Sequence, residues 1–141
     1  MAQRPEPGFG GLAWGDPPTA EMVLVDGRTD GEATYSKGPE PARFAGVHAD
    51  AIRWVFWKNR LMMVGVHGTS GFSTLLASLA ETWGPGFQAD AHQQRYTWMS
   101  RGPAGRTIAG LDVENATGFY LAIFSEDLTD ALELEQTLSR R

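Results

Sequence analysis

Apolar and aromatic side chains alternate most clearly at the centre of the chain. Residues 52–57 place Ile, Trp and Phe at every second position, with further large apolar residues between them. Alternation of this kind, in β-branched and aromatic residues, is typical of a strand. Residues 58–60 form a turn in which Asn59 tolerates the left-handed conformation, and residues 61–67 run back. The pattern predicts a β-hairpin over residues 52–67.

A helical period replaces this alternation after residue 71. Large apolar residues recur at intervals of three and four positions, which places them on one helical face: Phe72, Leu75, Leu76, Leu79 and Trp83. Ser70 is suited to cap the first turn, and the Gly-Pro-Gly sequence at residues 84–86 ends the segment. The pattern predicts an amphipathic helix over residues 72–83.

Shorter apolar runs, separated by turn dipeptides and prolines, predict further strands at residues 22–25, 32–37, 94–100, 106–113 and 119–124. Ser125 is suited to cap a last helix over residues 126–140. This order, with its short connections, predicts an α+β fold: a mostly antiparallel β-sheet of five to six strands with two helices on one face. Residues 1–8 are expected to be a flexible lead-in to a single domain over residues 9–141.

Composition places the chain among soluble globular domains, with 42% apolar and 21% charged residues in 141. The net charge of −5 and the absence of a basic cluster argue against nucleic-acid binding. No apolar run is long enough to span a membrane. The polar, Pro-rich start has no apolar leader, so we expect a cytoplasmic protein, and an exported form whose leader has been removed stays open.

The sequence predicts no cofactor and no metal site. It contains no cysteine, which excludes thiolate chemistry and disulfides, and no nucleotide-binding glycine motif or nucleophile elbow. His48, His67 and His92 are not spaced as metal ligands on one strand or helix.

One segment invites a catalytic or small-ligand reading. His67, Ser70 and Ser73 lie where a strand leads into the predicted helix, and the amides there are suited to an anion. The alternative is purely structural: Ser70 caps the helix and His67 ends a strand. The first reading predicts a pocket near these three residues at the start of helix 72–83, serving a small-ligand binder or a minor enzyme.

The hairpin has large apolar residues on both of its faces. If both helices cover one face, then Trp57, Met62 and Met63 are exposed on the other, and such a patch usually marks a partner surface. Alternatively, residues 9–22 fold back and cover that face. The exposed patch favours a non-catalytic binding or assembly domain that uses Trp57, Met62 and Met63 for a protein partner or for a homo-oligomer. This interpretation involves no catalysis, and the small-ligand binder or minor enzyme stays the alternative.

Several segments together resemble a group of small bacterial proteins with no assigned activity. The resemblance is carried by the opening F-x-G-x-x-W-G at residues 9–15, the Ala-Gly-Val step at 45–47, the Trp-Val-Phe strand at 54–56 and the helix with its Trp-Gly-Pro end at 83–85. It covers roughly residues 9–128. These motifs consist of turn glycines and buried rings, so the resemblance implies a fold order and no catalytic residues.

Overall fold

The computed structural model describes residues 5–90, 92–103 and 105–139. In chain order its elements are β1 (Gly8–Phe9), β2 (Leu12–Ala13), β3 (Met22–Gly27), β4 (Glu32–Lys37), β5 (Ala42–Phe44), β6 (Val47–Ala49), β7 (Ala51–Trp57), β8 (Arg60–Gly68), α1 (Phe72–Trp83), β9 (Arg95–Gly102), β10 (Gly105–Glu114), β11 (Gly118–Ser125) and α2 (Glu126–Ser139).

A seven-stranded antiparallel sheet organises the molecule, with the strand order β3-β4-β7-β8-β11-β10-β9. Two small hairpins, β1–β2 and β5–β6, lie outside it. The predicted α+β class with a mostly antiparallel sheet is confirmed, and the main sheet has slightly more strands than the five to six expected. No helix of the described residues combines the length and apolarity needed to cross a membrane.

The predicted central hairpin is confirmed as β7–β8. Lys58 and Asn59 make its turn with positive φ angles of 50° and 62°. The pairing register shifts between Val55 and Phe56, so that Val55 faces Met63 whereas Phe56 faces Leu61. This bulge leaves Met62 as the extra residue on β8, and a bulge of this kind strengthens the local twist.

Helix α1 packs on one face of the sheet. Its Phe72, Leu75 and Leu79 join a core formed by alternate residues of the strands, including Phe56, Val64, Val66, Leu111, Phe119 and Leu121. The predicted Ser70 cap is wrong: Gly71 occupies the N-cap with a φ of 97°, and it makes no side-chain cap. Gly84 ends the helix, and its carbonyl accepts a hydrogen bond from the buried Trp98 indole at 2.7 Å.

The N-terminal segment packs on the same face as α1. Trp14 donates its indole N–H to the buried Thr107 hydroxyl at 2.8 Å. Of the predicted lead-in, residues 1–4 lie outside the described residues, whereas Pro5 accepts a hydrogen bond from Ser100 at 2.7 Å and Gly8 belongs to β1. The alternative in which residues 9–22 cover the opposite face of the hairpin is therefore wrong, because Phe9, Leu12, Trp14 and Met22 join the core on the α1 side.

Helix α2 covers that opposite face. Its Leu128, Ala131 and Leu132 pack against a second apolar cluster, which is formed by Val55, Trp57 and Met62. As predicted, Ser125 caps α2, because its hydroxyl accepts a hydrogen bond from the Leu128 amide at 3.3 Å. The expectation that both helices share one face is wrong: a hairpin that is apolar on both sides is covered by a helix on each side.

Candidate functional site

The part of the sheet that α2 leaves uncovered carries a row of polar side chains across four strands. Residues that pair directly in an antiparallel sheet project from the same face. Arg95 pairs with Asp112, Asp112 with Tyr120, and Tyr120 with His67. Glu114 follows Asp112 by two positions and therefore shares the face. We call these five residues the polar row.

Small residues form a floor beside the polar row. The next pairs along the strands join Thr97 to Gly110, Gly110 to Ala122, and Ala122 to Gly65. A Cβ built on Gly110 meets nothing within 4 Å, so the space above this residue is open. A Cβ on Gly65 would lie 2.7 Å from the Tyr120 hydroxyl oxygen, because the phenol lies over this glycine.

Two close pairs of charged or titratable groups flank Tyr120. On one side, the Arg95 Nε donates to the Asp112 Oδ1 at 2.6 Å. On the other side, His67 Nε2 lies 3.5 Å from Glu114 Oε1, an oxygen that is inaccessible to solvent and has no hydrogen-bond partner among the described residues. The His67 and Glu114 side chains are still 45% and 42% exposed, so the remaining atoms of the pair are open to a ligand.

Burial raises the pKa of the Tyr120 phenol, and the negative charge of Glu114 raises it further. Both causes act against the phenolate. The hydroxyl therefore stays protonated through the neutral range, where it serves as a hydrogen-bond donor and acceptor at the middle of the row.

An open pocket of about 450 Å³ lies at this end of the sheet. It is lined by Gln93, Gln94, Arg95, Asp112, Val113, Glu114 and Tyr120. Its volume falls within the range of small-molecule sites, which is roughly 300–1,000 Å³. The lining offers one guanidinium, two carboxylates, two amides and a phenol, and this set suits a ligand with groups of both charges.

The described residues hold no cluster of three metal-ligating side chains. His48 lies in β6 and is exposed, as is His92 in the loop before β9. Only His67, of the three histidines, lies in the polar row.

The hairpin residues predicted to form an exposed surface lie under α2. Trp57 is 7% exposed and Met62 is 4% exposed, and both pack against α2. Met63 is partly buried against the same cluster. The expected exposed patch is therefore absent at Trp57 and Met62, because α2 occupies the space above them.

The structure does not bring His67, Ser70 and Ser73 into one pocket. Val66 belongs to the core on the α1 side, so its neighbour His67 projects from the α2 side. Ser70 is exposed in the loop, and Ser73 lines a separate cavity beside Leu76 on α1. The strand-to-helix segment thus divides its polar residues between the two faces of the sheet.

The sequence predicted no role for Arg95, Asp112, Glu114 or Tyr120. A signal was present in β10, where Gly110, Asp112 and Glu114 occupy every second position and thus mark a polar face. The strand register that brings Tyr120 and His67 beside them could not be predicted from any single segment of the sequence.

Comparison with protein-family profiles, with curated proteins and with solved structures gives no match to this chain. The resemblance based on the F-x-G-x-x-W-G opening therefore stays a prediction.

Proposed function

We propose that this chain is a non-catalytic binding domain for a small zwitterionic ligand of amino-acid size, held at the polar row. The observation that carries the proposal is the placement of opposite charges on one open face, with Arg95 at one end and Asp112 and Glu114 beside it. No chemical step and no cofactor are part of this proposal.

The spacing of the charges suits such a ligand. Asp112 and Glu114 are two positions apart on β10, so their Cα atoms lie about 7 Å apart. The side chains of Arg95, Asp112 and Glu114 extend into this gap, and a small zwitterion spans the rest. Arg95 is 67% exposed and keeps free N–H groups for a carboxylate. Glu114 and Asp112 accept from an ammonium, and Tyr120 contributes a neutral hydroxyl between them.

The small floor residues also support a small ligand at the polar row. Gly110 and Gly65 have no side chain, so a ligand is able to approach the sheet backbone closely beside Tyr120. A larger residue at Gly110 would fill open space above the floor, whereas at Gly65 it would displace the phenol.

Titration calorimetry with three matched probes tests the proposal. The twenty free L-amino acids are screened first, and the tightest binder is then compared with its methyl ester and its N-acetyl derivative. We expect each derivative to bind about tenfold more weakly, because each loses one charged contact of about 1.4 kcal/mol. Equal binding of all three forms, or no binding by any amino acid at about 10 mM, contradicts the proposal.

Two variants separate the two ends of the site. Arg95→Gln is expected to weaken the parent amino acid and to leave the ester unaffected, whereas Glu114→Gln weakens the parent and leaves the acetyl derivative unaffected. Arg101→Gln, at an exposed position on the same strand as Arg95, is the matched control and leaves all three affinities unchanged.

A second candidate function is self-association, which the free outer edge of β3 favours. Within the part of the chain that the structure describes, β3 pairs only with β4, and Val23, Leu24 and Val25 are 61%, 44% and 50% exposed. An apolar edge strand is a ready template for another strand. The occupant that we propose is a second copy of β3, because antiparallel pairing about a twofold axis brings Glu21 of each copy toward Arg28 of the other.

Sedimentation equilibrium tests this second candidate. The expected mass approaches twice the 15.4 kDa of the monomer at about 1 mM protein, and Val25→Lys restores the monomer. Leu134→Lys, which changes a leucine that is 61% exposed on α2, is the control and keeps the wild-type behaviour. A wild-type protein that stays monomeric at this concentration contradicts self-association through β3.

A further inference from the structure

A second pocket lies on the α1 side of the sheet, away from the polar row. It has a volume of about 300 Å³ and is lined by Glu6, Gly8, Phe9, Gly10, Phe44, Trp83 and Ile123. The residues come from the N-terminal hairpin β1–β2, the β5–β6 hairpin, the end of α1 and strand β11. We call it the aromatic pocket.

Three rings form the walls of the aromatic pocket, and other aromatic residues hold these rings in place. Phe9 stacks on Phe44 at a centroid distance of 5.8 Å and meets the edge of Trp54 at 6.0 Å. Trp83 meets Trp98 edge to face at 5.6 Å. All three wall residues are only partly buried, so ring surface remains for a ligand.

The backbone of the N-terminal hairpin fits this wall closely. A Cβ on Gly8 would collide with the carbonyl oxygen of Leu12, so only glycine allows β1 and β2 to pair here. The Trp14 amide also donates to the Pro7 carbonyl at 3.1 Å, which holds the segment beside Phe9 in its turn. The walls of the aromatic pocket are therefore formed by folded segments of the chain.

Glu6 alone carries a charge among the described residues that line this pocket. Aromatic faces carry negative electrostatic potential, and a carboxylate beside them adds a full negative charge. The combination attracts a cation that also has apolar surface to bury, and it disfavours an anion.

We propose that the aromatic pocket binds a small organic cation, whose apolar body lies against Phe9, Phe44 and Trp83 and whose ammonium group faces Glu6. This inference is independent of the polar row, which lies on the other face of the sheet. The ligand differs in chemistry as well, because none of the described side chains that line the aromatic pocket carries a positive charge for a ligand carboxylate.

Three probes of similar size test the proposal: benzyltrimethylammonium, benzyl alcohol and benzoate. Binding is followed on the wild-type protein by titration calorimetry and by the NMR shift of the Trp83 indole N–H, assigned with Trp83→Phe. We expect the cation to bind at least tenfold more tightly than the alcohol, and benzoate more weakly than either. Equal affinities for the three probes, or a shift pattern confined to the polar row, overturn the proposal.

Glu6→Gln is expected to lower the affinity for the cation toward that for benzyl alcohol, with the rings retaining part of the preference, and to leave the alcohol's own affinity unchanged. Glu133→Gln, which removes a carboxylate from the exposed side of α2, is the matched control and keeps the preference for the cation. If Glu6→Gln keeps the wild-type preference undiminished, the carboxylate plays no part and the proposal fails.

A further variant tests the rings without emptying the pocket. Phe44→Leu retains an apolar side chain, so the fold persists, and it removes one aromatic wall. We expect the cation's affinity to fall at least fivefold more than that of benzyl alcohol. Loss of benzyltrimethylammonium binding in Glu114→Gln would place the cation in the polar row and overturn the proposal.

Discussion

Tyr120 lies at the middle of the polar row. Its phenol lies over Gly65, and its strand neighbours on the two sides are Asp112 and His67. Burial raises its pKa first, and the charge of Glu114 raises it further. The electrostatic coupling of Tyr120 to Glu114 is therefore open to a direct measurement.

Glu114→Gln is expected to lower the pKa of Tyr120 toward the ordinary tyrosine value of about 10, because the substitution removes the negative charge that opposes the phenolate. Tyrosinate absorbance is followed through an alkaline titration, and subtraction of the Tyr120→Phe titration isolates this residue from the other two of the three tyrosines. An unchanged midpoint in Glu114→Gln contradicts the coupling.

The same shift has a consequence for stability. Because the folded protein holds the Tyr120 pKa above its unfolded value, the unfolded chain loses the proton first as the pH rises. The free energy of unfolding contributed by this group is thus fully present below about pH 10 and is lost as the pH rises through the folded pKa. Urea unfolding of wild type at two alkaline pH values is expected to show this loss, and Tyr120→Phe is expected to show a smaller one.

At the scale of elements, α1 owes its position to a few fully buried side chains. Leu75 is 0% exposed between the helix and the sheet. Leu75→Ala is expected to cost about 2–5 kcal/mol of unfolding free energy, from lost burial and from the cavity left behind. Urea denaturation measures this cost.

Leu134→Ala supplies the comparison for this cost, because Leu134 is a helical leucine that is 61% exposed on α2. It is expected to change the free energy of unfolding by less than about 0.5 kcal/mol. Similar losses in the two variants would mean that α1 does not pack as described.

The elements that could be predicted from the sequence are those whose pattern is local. The hairpin β7–β8 and helix α1 follow from alternation and from the spacing of Phe72, Leu75 and Leu79 within one short segment. Ser125 was recognisable as a cap for the same reason. Ser70 was not excluded, because serine and glycine both suit an N-cap and only the φ of Gly71 decides between them.

The polar row could not be predicted, because its members come from four strands whose register is set by tertiary packing. Arg95 and His67 are brought onto one line by β10 and β11 between them. The face covered by α2 was equally undetermined: the apolar residues Val55 and Trp57 required a cover, and both α2 and the N-terminal segment were available. Long-range packing against Val55, Trp57 and Met62 determines that α2 is the cover.

At the scale of the whole molecule, the central hairpin lies between two apolar clusters, and the cluster on the α1 side is much larger than the one on the α2 side. Leu132→Asp on α2 is expected to place a charge against Trp57 and Met62 and to expose them. Binding of the dye ANS is expected to rise several-fold, since exposed apolar surface binds it. Leu138→Asp, at a position already 55% exposed, is the control and leaves the dye unbound. A similar response in both variants contradicts the cover that α2 provides.

Helix α2 rests on the small cluster of Val55, Trp57 and Met62, whereas α1 joins a core that runs across the sheet. Such an imbalance allows one layer to open while the rest of the fold stays intact. Backbone amides of α2 are therefore expected to exchange with deuterium well before those of β8 and β11. The native protein would then spend a small fraction of its time as a two-layered molecule, with one side of its sheet bare.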